Sequence, residues 1–504
     1  MLIIAIGPVG PLAAAPAAAQ LSLPTLGDGS DLTPSEERRL GDRIIRELYR
    51  DPDYIDDPVL VEYVQTLWQS LLAASRARGE LSPELEERFA WEVLLGRDRS
   101  VNAFALPGGY LGVHLGLIGV VGSRDELASV LAHELSHVTQ RHISRLMAQQ
   151  GKVAPWMWGA MILGALAASK SPAAGQALMV GGQAAALQNQ LNFSRDMERE
   201  ADRIGYGLMA PAGFAPQGFV AMFDKLQQAN RLNDNGSWPY LRSHPLTTQR
   251  VADMQSRQLP GSGSAGAGVP AQSLEDAMVV ARARVLSNPG VDALRQWLAE
   301  PEGSAFAALE PTRQAAVLYG AVLSASRLNH AAEARTLLAR LQALVQGDAP
   351  ALRQAQLLAA EVELAAGRAA QAVRLVPSGK GRPELLLGTQ ARLQAVQTGT
   401  LAASTLQEWA SPLQTWVANH PRDAGAWQAL AGVWQAQGKV LRAVRAEAEA
   451  QVARYDYAAA VDRFKAGQAL ARTSREADDF VEASIIDTRL RAVESLLREQ
   501  AAER

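Results

Sequence analysis

The sequence predicts two folded parts: a mainly helical α+β domain with a small sheet, then an all-α domain of TPR-like helical repeats. Three observations carry that prediction. Strand-like segments between Phe89 and Leu117 are flanked by helical periodicity. Gly261 to Gly268 is a tract of glycine, serine and alanine. Beyond it, alanine- and leucine-rich helical periodicity runs almost to the end with no strand signal. With 504 residues, 48% of them hydrophobic, the chain also exceeds one ordinary core. The expected divisions are a leader over 1–19, a first domain over 30–257, a linker over 258–272 and a repeat domain over 273–504.

Residues 2–19 form an apolar stretch broken by Pro8, Pro11 and Pro16, too short and too interrupted to span a bilayer as a clean helix. It reads as a secretory signal cut after Ala19, although the first basic residue is Arg38 and no positive start precedes the apolar stretch. A disordered Ala/Pro leader is the alternative. Thr33-Pro34-Ser35-Glu36 then gives a helix start with a capping signal, continued by Leu40, Ile44, Ile45 and Leu48. A second helix is predicted through Leu60 to Leu72. Trp91 to Leu95 and Asn102 to Leu106 read as strands, and Pro107-Gly108-Gly109 turns the chain into Tyr110 to Val113. Ser123 is placed to cap a helix running to Met147.

Residues 153–169 are uncharged and contain Pro155. A buried or site-covering helix is the favoured reading, ahead of a membrane span; peripheral membrane contact is the third. In the tail, Gly367 precedes Ala372 by the same five residues that separate Gly438 from Ala443 and Asn329 from Ala334. Trp427, Leu430, Ala431, Trp434, Gly438 and Ala443, then Tyr457, Ala460 and Phe464, fit interlocking helix pairs of the tetratricopeptide type. A plain helical bundle is the alternative.

Composition excludes several classes. Lysine and arginine number 49 against 52 acidic residues, interspersed, so no cationic stripe exists for a phosphate backbone and nucleic acid is not an expected partner. Cysteine is absent, which removes disulfides, thiolate nucleophiles, cysteine-held metals and a lipoprotein anchor.

The chemistry concentrates at His133-Glu134-Leu135-Ser136-His137. Two imidazoles four residues apart project from one helix face and can grip one cation, with Glu134 beside them to activate a water. A catalytic zinc needs a third protein ligand. Glu198 and Asp202 are candidates, one as ligand and the other taking a ring N–H, though from spacing alone 194–205 reads better as an exposed charged helix. The strand at Asn102, Ala103 and Phe104 is a candidate edge for an extended substrate; an ordinary core strand is the alternative. Arg250 is a candidate partner for a carboxylate near the site, or an exposed arginine. His142, five residues past His137, falls off the ligand face and reads as a supporting or surface residue.

HELSH, SRDMEREADRIG and NAFALPGGYLGV together resemble the gluzincin metallopeptidases, which include the CAAX prenyl endopeptidase and the heat-shock protease HtpX. The likeness covers roughly residues 35 to 257 firmly. With the leader and tail, the periplasmic members with helical repeats are the nearest match, which loosely extends the likeness over the tail. The resemblance implies one Zn2+ per chain, Glu198 as third ligand, and His244 of Arg242-Ser243-His244-Pro245-Leu246 as a fourth, inhibitory ligand. A surface-loop histidine is the alternative for His244. It further implies a periplasmic endopeptidase for misfolded or stalled envelope polypeptides, with outer-membrane β-barrel clients and contact with their assembly machinery through the tail. A repeat-domain chaperone or adaptor with a largely latent zinc site is the second reading.

Overall fold

The computed structural model describes residues 32–149, 155–170, 194–231, 238–257, 272–473 and 478–502. The expected leader, and the expected linker up to residue 271, lie outside them. The architecture is mainly helical with one three-stranded sheet, followed by a long all-helical region, as the sequence predicts.

Helix α1 (Pro34–Arg50) starts where the capping box places it: Thr33 Oγ1 accepts from Glu36 N at 3.3 Å while Glu36 Oε2 accepts from Thr33 N at 2.8 Å. Helix α2 (Pro58–Ala77) is capped by Asp57, whose carboxylate accepts from Leu60 N at 3.0 Å. A short α3 (Pro83–Arg88) leads into β1 (Glu92–Gly96), β2 (Ala103–Leu106) and β3 (Tyr110–His114), ordered β1-β3-β2. Strands β2 and β3 form an antiparallel hairpin with Phe104 opposite Gly112, and β1 pairs parallel to β3. The hairpin turn needs its glycines, because Gly108 and Gly109 have φ of 76° and 85°. Short α4 (Leu115–Val120) leads to α5 (Arg124–Thr139), which carries the histidine pair.

Each sheet face is covered. Val93, Leu95, Ala103, Ala105, Leu111 and Val113 share a core with Leu127, Leu131 and Leu135 of α5. Leu94, Leu106 and Tyr110 on the other face join Leu40, Ile44 and Ile45 of α1. Helix α6 (His142–Gln149) precedes α7 (Pro155–Lys170), the apolar run. Its Trp158 and Ile162 are buried in this second cluster, each worth ~1.5–3 kcal/mol. Sixteen residues rise only about 24 Å, and no helix among the described residues is long and apolar enough to cross a membrane. Through Trp158 and Ile162, α7 packs on the sheet face remote from α5, while Met157 is 39% exposed.

One forecast fails locally. The helix expected from Ser123 to Met147 is two, because Arg141 adopts φ 53° between α5 and α6. Its guanidinium is tied to Glu37 at 3.0 Å and to the Leu32 carbonyl, tertiary contacts that offset the left-handed backbone.

In the tail, the helices Leu274–Ser287, Pro311–Arg327, Ala331–Val345 and Ala349–Ala365 contribute to the same core as α2 and α5. Asn329, Gly367 and Gly438, the residues that recur in the sequence, have φ of 63°, 74° and 74° and close the turns between successive helices. Arginines fasten the tail to the start of α2. Arg282 donates to Asp57 at 2.8 and 2.6 Å and to Glu361 at 3.0 and 2.8 Å, Arg353 to Glu62 at 2.7 Å, and Arg382 to Asp56 at 2.8 Å. Farther along, Tyr455 and Tyr110 hydroxyls meet at 2.7 Å.

Candidate metal centre

Helix α8 (Arg195–Met209), capped by Ser194, crosses α5 closely. A Cβ at Gly205 would lie 3.1 Å from the Ala132 backbone and His133 N, so glycine permits the approach that sets Glu198 and Asp202 beside the imidazoles. After α9 (Gln217–Arg231), the short α10 (Tyr240–Ser243) delivers His244 to the same point, and α11 (Thr248–Ser256) brings Arg250.

Four donors converge. His133 Nε2 lies 3.0 Å from His137 Nε2, 3.3 Å from His244 Nδ1 and 3.5 Å from Glu198 Oε2. Glu198 Oε1 lies 3.3 Å from His137 Nε2 and 3.0 Å from His244 Nδ1. A tetrahedral ion with bonds of about 2.0–2.1 Å has ligand–ligand edges of about 3.3 Å, close to the distances between these atom pairs. All four side chains are buried, and their ligand atoms lie within 4.8 Å of one another.

Charge points the same way. Glu134, Glu198 and Asp202 are buried carboxylates facing one buried guanidinium, Arg250, which leaves two negative charges for a divalent cation to neutralise if the imidazoles are neutral. Arg250 holds Asp202 through two bonds of 2.7 and 2.8 Å and reaches Glu198 at 2.7 Å; it is not an exposed arginine. Asp202 also meets His133 Nδ1 at 3.0 Å. Burial would raise Asp202, but Arg250 and His133 hold it below the usual carboxylate value. Burial would likewise raise Glu198, yet the neighbouring His244 and bonds from His133 and His137 hold it well below. Without an ion the imidazoles divide. Burial would depress His133, but Asp202 and Glu198 push it up to about 9, while burial wins at His137 and holds it well below its ordinary value.

Glu134 is placed by the edge strand: Ala105 N donates to its Oε2 at 2.9 Å. Its Oε1 has no hydrogen-bond partner among the described residues, and His244 Nε2 stands 3.4 Å away. Because His114 N donates to the Asn102 carbonyl, the β2 groups facing away from β3 belong to Ala103 and Ala105. The structure thus brings Glu134, both histidines, Glu198, Asp202 and His244 together and sets β2 alongside; of the expected edge residues Asn102, Ala103 and Phe104, only Ala103 turns its backbone groups away from β3, because the carbonyl of Asn102 and the groups of Phe104 face that strand. Sequence reasoning missed Tyr240, which is buried and stacks on His244 at 4.5 Å and 28°. The Trp238-Pro239-Tyr240 aromatic cluster before His244 was its only local signal.

Comparison with known proteins agrees with this arrangement. The model of peptidase family M48 matches residues 63–258. The beta-barrel assembly-enhancing protease of Escherichia coli (strain K12) is 31% identical over 85% of this chain and 83% of its own length. A putative beta-barrel assembly-enhancing protease of Vibrio cholerae is 35% identical over 65% of each chain. The mitochondrial metalloendopeptidase OMA1 of Arabidopsis thaliana is 33% identical over 32% of this chain and 31% of its own.

Proposed function

Since the chain belongs to peptidase family M48 and is a metallopeptidase, we propose that it is a zinc endopeptidase with His133, His137 and Glu198 as ligands and Glu134 as general base. The observation that carries this reading is the buried convergence of His133, His137, Glu198 and His244 with Glu134 beside it. When bound, zinc acidifies a water and polarises the scissile carbonyl. Glu134 takes the proton of the attacking water and passes it to the leaving amine; the Ala105 N–H fixes its Oε2 and leaves Oε1 for the transfer. Asp202, held by Arg250, orients His133 through its Nδ1–H. The outward groups of Ala103 and the outward carbonyl of Ala105 accept an extended polypeptide as an added strand, the Ala105 N–H being held by Glu134.

His244 acts as a latch. Its ring sits within tetrahedral-edge distance of His133 and Glu198, and the same segment caps the approach to β2, where Tyr240 N donates to the Val101 carbonyl at 3.3 Å. Displacing the segment opens the fourth position, so His244→Ala is expected to raise turnover, about tenfold for each ~1.4 kcal/mol by which the closed form is favoured. Unchanged or lower turnover would remove the latch from the mechanism.

Two relatives are named as beta-barrel assembly-enhancing proteases, and on that likeness we propose an exported, periplasmic protein that degrades misfolded or stalled polypeptides, with outer-membrane β-barrel clients and the tail binding clients or assembly partners. The test is metal analysis paired with casein degradation. One zinc per chain, and degradation lost on chelation and restored by zinc, is the expected result. Degradation that survives complete metal removal would refute it.

A further inference from the structure

The two imidazoles of α5 are each backed by a carboxylate, by unequal routes. His133 Nδ1 reaches Asp202 directly at 3.0 Å. His137 has its Nε2 turned into the donor cluster, and its Nδ1 lies 2.8 Å from Nδ1 of His142. His142 Nε2 in turn lies 3.1 Å from Glu200 Oε2, which Arg145 Nη1 holds at 2.9 Å. His142 is fully buried, at 0% exposure, whereas the Glu200 side chain is 31% exposed. The left-handed Arg141 between α5 and α6 makes this possible, because on one continuous helix a residue five beyond His137 would point elsewhere.

Hydrogen-bond bookkeeping fixes the direction of the chain. A carboxylate only accepts, so His142 Nε2 carries a hydrogen and donates it to Glu200. In a neutral imidazole the other nitrogen is then an acceptor, so His142 Nδ1 receives the Nδ1–H of His137. That leaves the lone pair of His137 on Nε2, facing Glu198 and His133.

Resting on the reading of His137 as a metal ligand, we infer that His142 and Glu200 are positioning residues that fix the tautomer and aim of His137 and thereby set metal affinity. Glu200 follows Glu198 by two residues, so one helix supplies a ligand on its buried side and the support of another ligand on its flank. The arm through Asp202 ends on buried Arg250; the arm through His142 ends near solvent.

The test uses the full chain and measures zinc affinity by competition with a chromophoric chelator. His142→Leu and Glu200→Ala are each expected to weaken zinc binding by about 10–100-fold. His142→Gln, whose amide accepts from His137 and donates to Glu200, should recover most of the loss. The double variant should bind no more weakly than His142→Leu alone, because Glu200 acts through His142. Cobalt-substituted protein gives a second readout, with absorption bands shifted by both single changes. Should His142→Leu fail to fold, Glu200→Ala, at a partly exposed position, decides the matter. Folded variants that hold zinc within about twofold of wild type, or losses that add in the double variant, would overturn the inference while leaving the metal site standing. Wild-type protein that binds no zinc would overturn the site and this inference with it.

Discussion

Glu134→Gln is expected to lower kcat/KM for peptide hydrolysis by ~10²–10⁴-fold while the protein keeps its metal. The substitution preserves shape and preserves the Ala105 contact, because the amide oxygen can accept the 2.9 Å hydrogen bond that Oε2 accepts now. What it removes is the capacity to take a proton from water and return it to the leaving amine. Glu134 is not among the four residues whose ligand atoms converge, so zinc content should match wild type. A quenched peptide substrate together with metal analysis reads both quantities. A variant that cleaves at more than about a tenth of the wild-type rate would require a different base. A variant that loses zinc would make Glu134 part of the ligand set.

Arg282→Met is expected to destabilise the whole protein by ~3–5 kcal/mol, the cost of leaving the buried Asp57 carboxylate without its counter-ion. Arg282 is 4% exposed and serves three partners: Asp57 through two bonds, Glu361 through two, and the Tyr319 hydroxyl at 3.1 Å. Burial would raise Asp57, but Arg282 holds it below its ordinary value, so the carboxylate is charged at neutral pH and loses its chief counter-ion in the variant. Asp57 also caps α2, so the damage reaches that helix as well as the tail. Chemical denaturation gives the number. Adding Asp57→Asn should recover part of it, since the double variant buries one uncompensated charge fewer. A loss under about 1 kcal/mol would mean that the arginine is solvated more than its burial implies.

The sequence carried the parts that local physics encodes. A capping box, a glycine hairpin turn and the four-residue spacing of His133 and His137 are short-range patterns, and each is found at its predicted position. The pairing of Glu198 and Asp202 was weaker, because acidic residues four apart on a helix also describe a solvated face; the family resemblance singled them out. The break at Arg141 had no glycine or proline to announce it, since contacts with Glu37 and Leu32 hold that backbone. His142 and Arg250 were read ambiguously for the same reason: their partners come from other helices. Pairs such as Asp57 with Arg282, separated by 225 residues, leave no local trace at all.

The attachment of the tail has a consequence for how a client would be cut. With arginines anchoring it at Asp56, Asp57 and Glu62, and Tyr455 bonded to Tyr110 of the central strand, it cannot swing like a tethered arm. A polypeptide gripped by those helices would stand a set span from His133 and His137. The tail would then serve as a ruler, and scission would be counted in residues from the point of grip, with side-chain identity at the cut secondary.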